Sequence, residues 1–241
     1  ALSKLIFQKD EYLFNAKIQN IIETKGDSNI KIINTSNNKI IPKELINDIN
    51  VYIHYLKKST IELSKKKYIF KSSEDNLLEI EEKIISEIFE NLNSHLILCE
   101  KNTGTWSVQE INKVIINQSE PYDFLTLEEG LPIMCTENNN ELGISNGDVG
   151  ILVGNKDNRR FLFKRFNKKN ETVIALIKPE KLESIVPAIA ITIHKAQGSE
   201  CKKVSILWNK KNENKILNPE IELNEKYQIF FRDNFEKRLF Y

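Results

Sequence analysis

The 241-residue sequence predicts an α/β domain interrupted by a small all-β barrel. Three observations carry that expectation. Short continuous apolar runs, His95 to Cys99, Ala188 to Ile193 and Val204 to Trp208, read as strands buried on both faces, the habit of a parallel sheet. Amphipathic helical stretches precede and follow the first of these runs. Between about Glu129 and Pro187 the texture changes, with five of the chain's eight glycines falling between 130 and 154.

Pro42 opens a helical stretch over 43–66, with Ile46, Ile53 and Leu56 on a broken apolar face. From Glu74 to Leu92, Leu77, Leu78, Ile80, Ile84, Ile85, Ile88, Phe89 and Leu92 recur near helical spacing, giving an amphipathic helix with an acidic outer face. The strand His95 to Cys99 leads into the turn Lys101-Asn102-Thr103-Gly104 and then a helix. Ser107 and Glu110 have capping-box spacing there, and Val108, Ile111, Val114 and Ile115 supply the apolar face. Strand, glycine turn and capped helix form one α/β unit, which places ligand-contacting groups near Glu100 to Gly104.

The barrel strands are Leu131 to Thr136, Val149 to Val153, Arg160 to Phe166 and Thr172 to Ile177, separated by turn clusters such as Asn146-Gly147. After Pro187 the buried strands resume, with His194 to Glu200 as a polar turn between them and Lys210 to Glu225 as a polar loop. Domain bounds follow: 1–128 and 188–241 for the α/β part, and 129–187 for the barrel.

Composition excludes several classes. With 40% hydrophobic and 29% charged residues the chain is globular, and its longest apolar runs are far short of a membrane span. Cys99, Cys135 and Cys201 are scattered and odd in number, which points to reduced thiols in a cytoplasmic protein; His54, His95 and His194 are isolated, so no metal site is expected.

The net charge of +1 hides an uneven distribution. Residues 1–70 carry 12 basic and 7 acidic groups, 71–130 carry 4 and 13, and 131–241 carry 19 and 14. Lys156 to Lys169 alone holds seven basic residues against one acid, either a phosphate-binding patch or a solvated hairpin surface.

The chemistry concentrates in Ala190-Ile191-Thr192-Ile193-His194-Lys195-Ala196-Gln197-Gly198-Ser199-Glu200. A buried strand ending in donors, a cation, a glycine and an acceptor suits a phosphate or nucleotide at a strand carboxyl end. A polar loop with His194 satisfied by a carbonyl accounts for the same residues equally well.

The string Thr192 to Glu200 closely resembles motif V of superfamily 1 DNA helicases in the form found in the RecD group, the alpha subunit of exodeoxyribonuclease V. A second segment agrees: Glu129-Gly130-Leu131-Pro132-Ile133-Met134, Asn138, Leu142-Gly143 and Asn146-Gly147-Asp148-Val149-Gly150 resemble the stretch that opens the family's Src-homology-3-like (SH3-like) barrel. Leu98 to Asn112 is similar to a third, with Gly104, Val108 and Asn112 in register. The resemblance covers about 94–208 well; Leu2 to Gly26 corresponds weakly to the region of motif IV, and Phe235 to Tyr241 to the helix before motif VI.

That resemblance implies a second RecA-like (P-loop NTPase-type) helicase domain with an SH3-like barrel inserted. It implies an ATP-dependent 5′→3′ DNA helicase acting on single-stranded DNA and duplex ends, with RecB-like and RecC-like partners in double-strand-break repair and recombination. Thr192, His194, Asn112 and Lys101 would contact DNA or line its channel, Lys195 faces phosphate or solvent, and Gln197, Gly198, Ser199 and Glu200 would couple that contact to ATP. Asn102 departs from the family, which often has Arg or Lys there. On the barrel, Arg160 and Lys164 could track single-stranded DNA beside Phe161 and Phe163, or those phenylalanines pack inside. Trp106 stacks on a base or packs in the core.

No glycine of the chain is followed by lysine, so the phosphate-binding loop G-x-x-x-x-G-K-[ST] is absent. ATP and Mg²⁺ would then be held mainly by a first RecA-like domain outside this chain. The chain begins Ala-Leu-Ser and stops at Arg-Leu-Phe-Tyr, which reads as a piece of a longer protein, inactive by itself. The alternatives are a non-catalytic nucleic-acid-binding module that keeps a helicase-like domain, and a stand-alone RecD-like helicase without RecB or RecC partners.

Overall fold

The computed structural model describes residues 30–35, 40–71, 77–166, 172–196, 201–209 and 223–232. Along the chain run β1 (Ile30–Thr35), α1 (Lys43–Ser64), α2 (Leu77–Leu92), β2 (His95–Cys99), α3 (Val108–Ile116), β3 (Pro132–Cys135), β4 (Val149–Val153), β5 (Arg160–Phe166), β6 (Thr172–Ile177), β7 (Ile185–Pro187), β8 (Ala190–Thr192), β9 (Cys201–Asn209) and β10 (Leu223–Arg232). The strands form two sheets. One is wholly parallel in the order β1-β10-β9-β2-β8, the other antiparallel in the order β6-β5-β4-β3-β7.

The chain divides into two compact units: 1–45, 93–111 and 190–241 contain the parallel sheet, and 46–92 with 112–189 contain the antiparallel one. In the parallel unit, Ile97, Leu98 and Cys99 of β2 and Val204, Ser205, Ile206 and Leu207 of β9 are all buried, as a sheet covered on both faces requires. One polar pair is buried with them: His95 Nε2 lies 2.8 Å from Ser205 Oγ, so each satisfies the other.

In the antiparallel unit the core is aromatic and aliphatic, with Phe161, Leu162 and Phe163 of β5 against Ile174 to Ile177 of β6. Phe124 meets Phe161 edge to face at 5.6 Å. A side chain at Gly150 would lie 2.6 Å from the Leu162 carbonyl, which explains why glycine stands there. Gly154, at φ +80, would put a Cβ 2.2 Å from the Asn158 carbonyl, so this turn demands glycine twice over.

Several expectations change in detail. The buried face of α1 is Leu45, Ile49, Tyr52, Leu56 and Leu63, at spacings of three, four and seven, while Ile46 and Ile53 are only half-buried. The apolar run Ala188 to Ile193 is not one strand: β7 ends at Pro187 in the antiparallel sheet, β8 starts at Ala190 in the parallel one, and Ile193 opens a 3-10 turn. The stretch expected as a loop to Glu225 gives way to β10 from Leu223. The antiparallel ladder has β6 and β7 as its two ends, with no pairing between them among the described residues.

Candidate nucleic-acid interface

In the parallel unit β2 and β8 are hydrogen-bonded neighbours, with Cys99 opposite Thr192. Parallel pairing puts both carboxyl ends at one edge of the sheet. The turn after β2 and the turn after β8 therefore emerge side by side, although some ninety residues separate them in sequence. Lys101, Asn102, Thr103 and Gly104 are exposed in the first; His194 and Lys195 are exposed in the second, on the 3-10 turn Ile193–Ala196. Ala196, fully buried, anchors that turn, and Thr192 at 8% exposure sits at its base.

The helix that follows the first turn has no free amides to offer a ligand. Val108 N donates to the Lys101 carbonyl (3.0 Å), Gln109 N to the Asn102 carbonyl (3.1 Å), and Glu110 N to Ser107 Oγ (3.2 Å). The capping box is present in altered form, because the Glu110 carboxylate accepts from Trp106 N, one residue before the cap. Each helix-end donor is thus occupied, so an anion here meets the side chains of the turn and Gly104 instead. Gly104, at φ +94 with open space around it, supplies the left-handed residue that bends the chain back.

Trp106 is 4% exposed and its Nε1 donates to the Ile40 carbonyl at 3.2 Å, which leaves no ring face for a base. Asn112, expected at the channel, is 4% exposed, and its Nδ2 donates to the Pro187 carbonyl at 3.1 Å. Burial pushes the Cys99 thiol up, with the Glu110 carboxylate adding to it, so it is no nucleophile. Gln197, Gly198, Ser199 and Glu200 lie outside the described residues, as do Leu2 to Gly26 and Phe235 to Tyr241.

The basic run of the antiparallel unit divides on inspection. Lys156 and Lys164 are exposed and Arg160 is half-buried, its Nη1 donating to the Arg159 carbonyl at 2.7 Å. Arg159 is buried, its guanidinium spent on the carbonyls of Gly154 and Leu127, and Arg165 donates to the Leu142 carbonyl. Phe161 and Phe163 are interior, so they pack rather than stack on bases. Sequence reasoning counted these cations without sorting them. The available signal was composition: a chain with 30 lysines and five arginines puts three of the arginines at 159, 160 and 165. A planar fork reaching several carbonyls is something lysine cannot provide.

Among the described residues, no group of three or more His, Cys, Asp or Glu side chains is placed to hold a metal ion, and no helix is long and apolar enough to cross a membrane.

No protein-family model matches the chain. The RecBCD enzyme subunit RecD of Buchnera aphidicola subsp. Schizaphis graminum (strain Sg) is 33% identical over 176 residues, 68% of this chain and 27% of that protein. The RecD subunit of Buchnera aphidicola subsp. Acyrthosiphon pisum (strain APS) is 34% identical over 131 residues, 51% of this chain and 21% of that protein. The chain thus spans about a quarter of the length of these relatives. Among solved structures, a Bacteroides Pif1 bound to ssDNA aligns over 58% of this chain and 41% of its own, with 18% identity and a TM-score of 0.34. A Pif1 helicase structure described as a basis for DNA unwinding at forked dsDNA aligns over 83% and 48%, again at 18% identity and 0.34. Scores of that size do not establish a common fold. Identity of about one third over 131 and 176 residues makes the two RecD subunits homologues of this chain over half to two-thirds of its length.

Proposed function

We propose that the chain is the second RecA-like domain of an ATP-dependent superfamily 1 DNA helicase, with residues 129–187 as an SH3-like insertion between its parts at 1–128 and 188–241. The observation that carries this reading is the identity with RecD subunits over 176 residues. It is supported by the parallel sheet that sets the Lys101 and His194–Lys195 turns side by side, since open α/β sheets take ligands at their strand carboxyl ends. The antiparallel five-stranded sheet supports the insertion.

In this reading the exposed Lys101, His194 and Lys195 meet the backbone of single-stranded DNA, and Thr192 orients the turn from below. On the insertion, Arg160 and Lys164 are the candidates for contact with single-stranded DNA, and Asn112 holds Pro187 in place. ATP and Mg²⁺ bind mainly to a first RecA-like domain, and Gln197, Gly198, Ser199 and Glu200 complete the cleft from this side. When bound, ATP supplies the free energy of phosphoryl transfer; this chain's part is to couple occupancy of the cleft to its grip on DNA. The RecD kinship favours 5′→3′ translocation in the cytoplasm with RecB-like and RecC-like subunits, in the repair and recombination of broken duplex ends.

The test uses the full-length protein. His194→Ala and Gln197→Ala are each expected to abolish most of the stimulation of ATP hydrolysis by single-stranded DNA, and His194→Ala to do so with basal hydrolysis near wild type. Unchanged stimulation in both variants would remove the motif from the coupling path. DNA binding by the full-length protein without any ATP hydrolysis would favour the alternative of a non-catalytic nucleic-acid-binding module.

A further inference from the structure

Among the described residues of the basic run, Arg159 is the least exposed charged one, at 6% exposure. Its guanidinium donates to the carbonyls of Gly154 and Leu127, and to Leu125 at 3.5 Å. These acceptors belong to two separate pieces of chain, the turn between β4 and β5 and the irregular segment that precedes β3. Desolvation lowers the affinity of Arg159 for its proton, and the Glu129 carboxylate opposes that shift. Glu129 is itself tied in, accepting from Ser64 Oγ and, at 3.2 Å, from Gly154 N. The next residue, Arg160, is oriented by its bond to the Arg159 carbonyl at 2.7 Å.

We propose that Arg159 is not a DNA contact but a positioning residue, one that fastens the 154–159 turn to the 125–127 segment and thereby aims Arg160 on the strand that meets single-stranded DNA. The proposal rests on the reading of β5 as a DNA-contacting strand. Its physical basis is the fork: Nη1 reaches the Gly154 carbonyl while Nη2 reaches the 125–127 segment, whereas an ammonium offers its three donors from a single nitrogen on a different stem and does not span the same acceptors in that geometry. Arg159→Lys therefore keeps the charge and loses the geometry.

The experiment measures binding of the 241-residue chain to fluorescein-labelled oligothymidylate by anisotropy, at several salt concentrations and well below the melting temperature of each variant. Arg160→Ala is expected to reduce the slope of log affinity against log salt by about 0.7, the value of one phosphate contact on a single strand. Arg159→Lys, with unchanged net charge, is expected to reduce it by a similar amount. Wild-type slope and affinity in Arg159→Lys would overturn the positioning role, since a direct phosphate contact tolerates that exchange. Hydrogen exchange without DNA separates the two levels: amides at 154–160 should exchange faster in Arg159→Lys, and unchanged exchange there would also overturn the proposal. A wild-type slope in both Arg160→Ala and Lys164→Ala would instead sink the DNA reading of β5 and the positioning role with it, whatever the exchange shows of the fastening itself.

Discussion

The parallel and antiparallel units solve the same problem, holding irregular chain in place, by different means. In the parallel unit the turn after β2 is closed by backbone carbonyls and short local side chains: the Lys101 and Asn102 carbonyls accept from α3 and leave their own side chains exposed, while Ser107 and Glu110 take up the neighbouring amides. In the antiparallel unit the long connections are fastened by arginines, Arg159 forked to Gly154 and Leu127, and Arg165 bonded to Leu142. The difference teaches that a positive residue on this chain is informative only once its acceptors are known. Exposed lysines at 101, 164 and 195 remain available to an anion, whereas buried Arg159 is already committed.

The two units are expected to unfold apart. Both tryptophans, Trp106 and Trp208, lie in the parallel unit, so their emission reports it alone. Phe163→Ala, which empties a fully buried site in the antiparallel unit, is expected to cost about 3–5 kcal/mol. Circular dichroism in urea should then show an earlier transition while the tryptophan midpoint stays put. A joint shift of both signals would make the two sheets one cooperative unit.

A smaller effect sharpens the other side. Ser107→Ala removes the acceptor of the Glu110 amide and should cost about 1 kcal/mol, read as a lower urea midpoint of tryptophan emission. No change would mean that the Lys101 and Asn102 carbonyls suffice to cap α3.

The last expected effect is alkaline. Burial pushes the Cys201 thiol up to about 11 and raises Cys99 as well, and both lie in the parallel unit. An unfolded thiol titrates near about 8.5. Above that pH the folded state holds more protons than the unfolded one, so this stabilisation is complete below about 8.5 and is lost as pH rises through the folded value. The tryptophan midpoint should fall as pH is raised from about 8 to about 10.5, and Cys201→Ser should make that fall shallower. An equal slope in the variant would remove Cys201 from the account.

Much of the local structure was legible because it rests on periodicity and turn chemistry. β4, β5 and β6 begin and end where the apolar runs and Gly/Asn clusters predict, and α2 and β2 follow from their spacing. β1 and β10 did not emerge from the sequence, since Ile30 to Thr35 and Tyr227 to Phe231 are short runs set among Lys and Asn, and only pairing, of β10 with β9 and of β1 with β10, makes strands of them. The face of α1 was misjudged because isoleucines at 46 and 53 are as apolar as the residues that are buried; packing chose the Leu45, Ile49, Tyr52 and Leu56 side.

By itself, then, the sequence determined the kinds of element, the change of texture after residue 129 and the string from Thr192 that carries the family resemblance, all properties of neighbouring residues. The tertiary structure decided what depends on distant ones. The Cys99–Thr192 register brings two turns to one edge, β8 takes only Ala190 to Thr192 of the apolar run from Ala188 to Ile193, and carbonyls far along the chain determine which cations face solvent. Hydrogen-bond partners and burial are pairwise properties of the folded chain, and no local spacing encodes them.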